Sequence, residues 1–286
     1  MSDEIEIQIS TLRLSAKCWG NPKGFPILAF HGWLDNAATF DHLAPYLNGF
    51  RLVSLDLPGH GFSDHRSFGS CYHFSDLIVD ILEVLDVLGW QHFCLLGHSM
   101  GAGVASYIAG IIPEKISSVI LIEGLGSLTK EDKEMPKILI ESANEWKNID
   151  KKKKPLYPDF ETAVRVRHNV GGIEESSVRT LVSRGLQSVD GGFTWRSDPR
   201  LKIKSRHYLT EKQACAILMG ITAPVLLIEA DKSNLEYWRE LFLKRRSYIK
   251  NLYHRKVSGN HHLHLDNPQA VAEVIIEFIK EISKKK

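Results

Sequence analysis

The sequence has few cysteines, lacks any long hydrophobic run, and shows no excess of either sign of charge. Its four cysteines in 286 residues lie far apart with no C-x-x-C pair, which favours neither a disulfide framework nor a zinc site. No apolar run approaches the ~20 residues of a membrane-spanning helix, and the acidic segment 1–5 lacks the apolar core of a secretory signal. The 36 Lys and Arg nearly balance the 34 Asp and Glu, whereas a nucleic-acid-binding protein needs a basic patch. We therefore expect a cytoplasmic protein with no transmembrane segment and no nucleic-acid partner.

Short apolar runs alternate with amphipathic stretches along much of the chain. An N-terminal hairpin is predicted first, because isoleucines alternate with polar residues over 5–9. The runs with the length of buried strands are 26–30, 52–55, 93–96, 119–122 and 225–228. Helical periodicity separates some of them, notably over 75–88 and 101–112. This alternation predicts an α/β fold with a mostly parallel central sheet flanked by helices on both faces.

The alternation lapses between residues 124 and 222, where mixed helical patterns recur. Apolar residues continue through this stretch, so we interpret it as a helical cap inserted before the last strands, not as a linker. The predicted organisation is a core in two parts, 1–123 and 223–286, with the cap at 124–222. The lysine run 151–154 within the cap is typical of a solvated loop.

The strongest motif is the pentapeptide Gly97–Gly101, which reads Gly-His-Ser-Met-Gly and matches G-x-S-x-G. It follows a predicted strand and precedes a predicted helix, which is the context that gives this motif its meaning. A sharp turn there exposes the Ser99 hydroxyl, and the positive potential of the helix N-terminus favours an oxyanion. Neither G-x-G-x-x-G nor G-x-x-x-x-G-K-[ST] occurs, so no nucleotide or other cofactor is expected.

Further motifs follow other strands: His31–Trp33 after the run 26–30, Asp56–Ser63 after the run 52–55, and Gly259–Pro268 near the C-terminus. Together with the pentapeptide they resemble the α/β-hydrolase superfamily over essentially the whole chain. Three stretches are similar to the serine hydrolase-like group that contains the insect kraken protein, namely HGWLDNA at 31–37, LIEGLG at 121–126 and WRSDPRL at 195–201. The resemblance implies an α/β-hydrolase fold and hydrolysis by an activated serine.

The resemblance implies that Ser99 is the nucleophile and that its base is a histidine near the C-terminus. His261, His262 and His264 compete for this role, and counting back from Pro268 places His261 where the family has its catalytic histidine. A metal-binding pair at His261 and His264 is disfavoured because no carboxylate or cysteine motif accompanies it. No metal site is therefore expected.

Two carboxylates are candidates for the residue that orients the base. The loop after the strand at 225–228 is where many relatives carry an aspartate; the usual position falls on Ser233, and Asp231 comes two residues earlier. Glu123 ends the strand after the nucleophile helix and resembles the arrangement in haloalkane dehalogenases and pancreatic-type lipases. Both would lie at the carboxyl edge of the sheet, where ligands bind in open α/β folds. We favour Glu123 and keep Asp231 as the alternative.

The remaining predicted site residues follow the first strand and the nucleophile. Backbone N–H groups of Trp33 and Met100 are predicted to form the oxyanion hole, since charge on a carbonyl oxygen requires fixed donors. Substrate contacts are predicted for the Trp33 ring, Asp35, Asn36 and His98, with core packing or turn formation as the alternative roles.

A serine in the motif disfavours haloalkane dehalogenase and epoxide hydrolase chemistry, because those relatives use aspartate as the nucleophile. We expect acyl transfer to water from carboxylic esters that are small or medium-sized and apolar, bound as small molecules under the cap. A thioesterase or amidase is the alternative within enzymes, with residues 151–154 attracting an acidic substrate such as an acyl-CoA. A ligand-binding protein with little turnover on the same scaffold is the alternative from another class.

Overall fold

The structure is a computed structural model that describes residues 2–151, 154–233 and 236–285. Two members of the lysine run, Lys152 and Lys153, lie outside the described residues, so the solvated loop there stays a prediction. The described strands are β1 Asp3–Gln8, β2 Arg13–Gly20, β3 Phe25–Phe30, β4 Phe50–Leu55, β5 Phe93–His98, β6 Ile116–Ile122, β7 Leu186–Val189, β8 Gly192–Trp195, β9 Val225–Ala230 and β10 Leu252–Val257. The described α-helices are α1 Asp76–Leu88, α2 Met100–Ile111, α3 Met135–Lys147, α4 Phe160–Gly171, α5 Glu175–Gly185, α6 Glu211–Met219, α7 Glu236–Arg246, α8 Leu263–Asp266 and α9 Pro268–Ser283.

The described residues form an eight-stranded sheet in the order β1-β2-β4-β3-β5-β6-β9-β10. The strands β1, β2 and β4 pair antiparallel, and every pair from β4 to β10 is parallel. This arrangement confirms the mostly parallel sheet predicted from the sequence. The chain order reverses between β3 and β5, and the loops that leave their carboxyl ends diverge there, which opens a crevice for a ligand.

Alternate residues of each central strand face two separate hydrophobic layers. In β3, Leu28 and Phe30 pack with residues of α1 and α2, whereas Ile27 and Ala29 pack on the opposite face with α9. Burial on both faces explains why these strands are continuous apolar runs in the sequence. The two layers hold the carboxyl ends of β3, β5, β6, β9 and β10 at one rigid edge, where the predicted site residues follow.

The stretch 124–222 contains α3 to α6 and a separate hairpin of β7 and β8. Its own hydrophobic cluster includes Val164, Val178 and Val182, and Leu265 of the core packs against it. The last helix of this stretch, α6, instead packs Leu218 into the hydrophobic layer of the core that contains residues of α2. The boundary at residue 222 therefore stays a prediction, since α6 packs with the core.

Among the helices in the described parts of the chain, none is sufficiently long and apolar to cross a bilayer.

Candidate active site

The turn between β5 and α2 holds Ser99 in an unusual backbone conformation, with φ of 53° and ψ of −116°. The turn is tight: a Cβ on Gly97 would lie 2.3 Å from the carbonyl oxygen of Gly101, and a Cβ on Gly101 would lie 2.1 Å from that of Phe30. Glycines are therefore required on both sides of the serine by the closeness of the backbone. Strain of this kind costs on the order of 1–3 kcal/mol and is concentrated at functional sites.

Replacing Gly101 with alanine is expected to distort this turn, because the neighbour that the new methyl group meets is backbone and not a flexible side chain. We expect a lower thermal midpoint and loss of reactivity at Ser99, measured by thermal unfolding and by labelling with a fluorophosphonate. Gly49→Ala is the control, since a Cβ there meets nothing within 4 Å. Equal behaviour of the two variants would contradict the packing argument.

His261 and Glu123 meet at the carboxyl edge although they are far apart in the chain. The Nδ1 atom of His261 lies 3.2 Å from Glu123 Oε2. The other oxygen of Glu123 accepts a 2.6 Å hydrogen bond from the backbone N–H of Ala230, which fixes the carboxylate. Glu123 is 5% exposed and has a positive φ of 53°. The carboxylate is thus held in place by a strained residue at the end of β6, aimed at one imidazole.

The second predicted carboxylate, Asp231, lies in the loop after β9 and is exposed. Its Oδ1 accepts a 3.0 Å hydrogen bond from the backbone N–H of Gly259, and this bond lowers the pKa of Asp231. The contact joins the β9 loop to the loop that carries His261. Of the two candidates, Glu123 is the one that contacts the His261 ring among the described residues.

The predicted oxyanion donors belong to residues that line the same cavity as Ser99. Within the described chain, the backbone N–H groups of Trp33 and Met100 have no hydrogen-bond acceptor, as expected at the start of a helix for Met100. Trp33 is 53% exposed, and its ring donates from Nε1 to the carbonyl of Leu201 at 3.1 Å. The next residue, Leu34, has a positive φ of 61°. Both predicted donors are therefore unpaired, and the Trp33 side chain is held by the segment that precedes α6.

The three other predicted substrate contacts are buried and bonded within the protein. Asn36 accepts from the N–H of Ala38 at 3.1 Å and donates to Leu181, and His98 is fully buried. Asp35 and Asn36 border a cavity of about 20 Å³, the size of a single water and too small for a substrate. Because Asp35 and Asn36 bond within the protein and His98 is fully buried, we do not propose direct substrate contact for these three residues.

A cluster of histidines instead packs behind the turn. Because a carbonyl oxygen only accepts, the 2.9 Å contact of His98 Nε2 with the His261 carbonyl makes that nitrogen a donor. Burial, together with His264, His261 and His262, holds the pKa of His98 well below its usual range. His262 lies 2.9 Å from Asp35. The neutral His98 ring and the His262–Asp35 pair position the backbone on either side of His261.

Two further histidines fix the loops after β3 and β4. The N–H of Leu57 donates to His31 at 3.0 Å, and that of Leu34 donates to His60 at 3.3 Å. Burial lowers the pKa of His31 to about 4 and, with the neighbouring His31, lowers that of His60 to about 3. Both rings are therefore neutral and accept hydrogen bonds from backbone, in agreement with a structural role.

A cavity of about 1040 Å³ opens over these residues, at the upper end of the range for small-molecule sites. Its wall includes five residues named from the sequence: Trp33, Ser99, Met100, Glu123 and His261. Asp231 is not part of that wall in the described chain. The predicted nucleophile, base and favoured acid therefore share the wall of one cavity.

Several residues of the cavity wall carried no signal in the sequence. The segment Leu201–Leu209 lines one side, although it contains no motif and belongs to no strand. Arg66 and Tyr107 also reach the cavity, from a loop and from α2. The one indication of this segment in the sequence was the stretch 195–201, which is similar to the serine hydrolase-like group. That stretch ends at Leu201, the first residue of the segment.

The chain was compared with protein families and solved structures. A family model described as the alpha/beta hydrolase fold matches residues 26–268. A serine hydrolase-like protein of Dictyostelium discoideum is 33% identical, covering 98% of this chain and 82% of its own length. A hypothetical protein of Pseudomonas aeruginosa PAO1 is 39% identical with a TM-score of 0.92, over 97% of this chain and 99% of that one. A thioesterase domain from the curacin biosynthetic pathway is 28% identical with a TM-score of 0.83, over 96% and 99%. The protein therefore belongs to the α/β-hydrolase family, within its serine hydrolase-like group.

Proposed function

We propose that this protein is a serine hydrolase that cleaves carboxylic esters through an acyl-enzyme on Ser99. Ser99 Oγ attacks the ester carbonyl while His261 takes its proton, and the N–H groups of Trp33 and Met100 bind the oxygen that becomes negative. His261 then protonates the leaving alcohol. Water, deprotonated by the same imidazole, attacks the acyl-enzyme and releases the acid.

The contact between His261 and Glu123, at the cavity that Ser99 lines, carries this proposal. A carboxylate on Nδ1 keeps the proton on that nitrogen and leaves Nε2 free to act as the base. Glu123 fits the role because the Ala230 N–H holds its other oxygen. Burial keeps water from competing for the pair. We therefore propose Glu123 as the orienting acid, with Asp231 as the alternative that a substitution can test.

The backbone supports the same set of residues. Among the described residues, the non-glycine positions with positive φ are Leu34, Ser99 and Glu123. The first adjoins a proposed oxyanion donor, and the others are the proposed nucleophile and acid. Strained conformations persist where the surrounding fold holds them for function, so their coincidence at one edge favours a catalytic site over a decayed scaffold.

Fluorophosphonate labelling followed by intact-mass analysis tests the proposal. We expect one adduct on the wild-type protein at Ser99, none on Ser99→Ala, and strong loss on His261→Ala, because an unactivated serine reacts slowly. Ser75→Ala is the matched control, since Ser75 lines the same cavity outside the turn. A folded wild-type protein that takes no adduct would instead favour the ligand-binding alternative.

A thioesterase is the second candidate, and the 28% identical thioesterase domain favours it. The same nucleophile, base and oxyanion donors serve thioesters, because the thiolate is an easier leaving group than an alkoxide. Matched esters and thioesters of one acyl chain separate the two candidates by their kcat/KM values. The cytoplasmic location expected from the sequence stays a prediction.

A further inference from the structure

The wall of the main cavity has a strong excess of positive charge. Its arginine and lysine side chains are Arg66, Lys202, Lys204 and Arg206. The one carboxylate among the described lining residues is Glu123, which is already bonded to His261. A cavity with this imbalance attracts anions and repels cations.

Two of the four cations are neutralised by acidic neighbours. Arg66 forms a close ion pair with the buried carboxylate of Asp80, and Lys204 Nζ lies 2.6 Å from Glu141. These pairs tie the cavity wall to α1 and α3. They contribute little net positive potential to a bound molecule.

The other two, Lys202 and Arg206, form no ion pair within the described chain. Arg206 is half-buried, donates one N–H to the thiol of Cys71, and lies with its guanidinium carbon 5.9 Å from the centre of the Trp146 ring. A thiol is a weak acceptor, so most of the five guanidinium donors stay unused. A partly buried cation without a carboxylate is costly unless an anion completes it.

A neighbouring histidine lies beside the same cations. His73 lies against His207 with ring centres 4.5 Å apart and is bonded to Ser205 at 2.9 Å. Burial is the largest cause that lowers the pKa of His73; Arg206 and Arg66 act in the same direction, and Asp76 opposes them. His73 is therefore near enough to Arg206 and Arg66 to be affected by their charges.

The rest of the wall is largely apolar. Its hydrophobic side chains come from α1, α2, α3, α6 and α7 and the connecting loops, and include Leu77, Ile78, Tyr107, Met135, Ile217 and Phe242. A ligand that matches both parts has an apolar chain and an anionic group. The volume of about 1040 Å³ leaves room for both.

We propose that Lys202 and Arg206 form an anion subsite, and that the substrate is an acyl ester or thioester with an apolar chain and a negatively charged group. This inference rests on the proposed function for the bond that is cleaved. The charge has two possible sources with the same chemistry: a carboxylate at the far end of the acyl chain, or a phosphate of the leaving group. The experiment separates them.

Two matched substrate pairs distinguish the sources. The first pair is p-nitrophenyl hexanoate and the p-nitrophenyl half-ester of adipic acid, which differ in a carboxylate at the end of the acyl chain. The second pair is the hexanoyl thioesters of pantetheine and of 4′-phosphopantetheine, which differ in a phosphate of the leaving group. For each pair we take the ratio of kcat/KM for the anionic substrate to that for the neutral one. A general loss of active enzyme cancels in this ratio.

We expect a wild-type ratio above one in one of the pairs, decreasing as salt screens the charges. Arg206→Gln should lower that ratio about tenfold or more, as typical for the loss of a charge-assisted hydrogen bond. Lys202→Gln should lower it less, because Lys202 is exposed. Lys256→Gln, which removes one exposed positive charge outside the cavity wall, is the control and should leave the ratio unchanged.

The proposed function and this inference fail separately. Absence of the Ser99 adduct would contradict the proposed hydrolase. The subsite is then tested by calorimetric titration of the Ser99→Ala protein with the members of the same two substrate pairs. Tighter binding of an anionic member than of its neutral partner, lost when Arg206→Gln is added, would support the subsite. Ratios near one in both substrate pairs, or ratios that Arg206→Gln and Lys256→Gln change equally, would overturn it.

Discussion

Replacing Glu123 with glutamine is expected to lower kcat for ester hydrolysis about 10⁴-fold, the effect typical of removing the orienting carboxylate from such a triad. The amide oxygen can still accept from the Ala230 N–H, so the fold should persist. The amide nitrogen would then face His261 Nδ1 as a donor. The imidazole proton of His261 would then reside on Nε2, the nitrogen that must accept the proton of Ser99. The loss of kcat is measured by steady-state kinetics.

Asp231→Asn is the matched control for Glu123→Gln. The asparagine oxygen can still accept from Gly259, and the side chain is exposed, so we expect a much smaller change in kcat. Thermal unfolding of both variants should show folded protein. A large loss in Asp231→Asn with near-normal turnover in Glu123→Gln would assign the acid to Asp231 instead, and two mild effects would refute a single essential acid.

The second large effect is expected for Asp56, which is fully buried at the carboxyl end of β4. Its carboxylate accepts from the N–H groups of Ala37 at 2.7 Å and Phe62 at 2.8 Å and lies 2.8 Å from the guanidinium of Arg184 on α5. Asp56→Ala leaves these two N–H groups unpaired and removes the buried carboxylate from Arg184. We expect the free energy of unfolding to decrease by about 3–5 kcal/mol, measured by urea denaturation.

Asp64→Ala serves as the comparison for Asp56. Its side chain is 43% exposed and pairs with Arg13, so the expected decrease is at most about 1 kcal/mol. Arg184 also contacts Glu4 at 2.6 Å. If Asp56→Ala lost no more stability than Asp64→Ala, this second contact would be sufficient to hold Arg184, and Asp56 would not be the link between cap and core.

Much of the central sheet could be predicted from the sequence because its buried strands have a local signature, whereas the partly exposed β10 was not predicted. Burial on both faces makes β3, β5 and β6 short apolar runs, and helices with one apolar side separate several of them. The hairpin of β7 and β8 within the cap was not predicted as such. Its pattern is short and partly exposed, so periodicity carries little information there.

The proposed site also has one part that the sequence predicts locally and another that depends on contacts between distant segments. The turn that carries Ser99 is local, since a strand, two glycines and a helix within a few residues specify it. Contact between His261 and Glu123 joins residues 138 positions apart; the resemblance favoured Glu123 in the sequence but left Asp231 open as the alternative. Asp35 and Asn36 were expected near a substrate because they follow a motif. In the structure, the loop after β3 buries both side chains in the protein interior.

The sequence by itself determined the alternation of buried strands and helices and the position of Ser99 at a strand-to-helix turn, and the resemblance of its motifs indicated the fold family. The alternation and the turn depend on the spacing of apolar residues and glycines, which act over a few neighbours. Only the tertiary structure decided which carboxylate meets His261, which side chains turn inward, and that Lys202 and Arg206 face the cavity without acidic partners. Those outcomes depend on distances between segments that the sheet edge and the cap bring together, and the free energy of such contacts is not encoded in any short stretch of the chain.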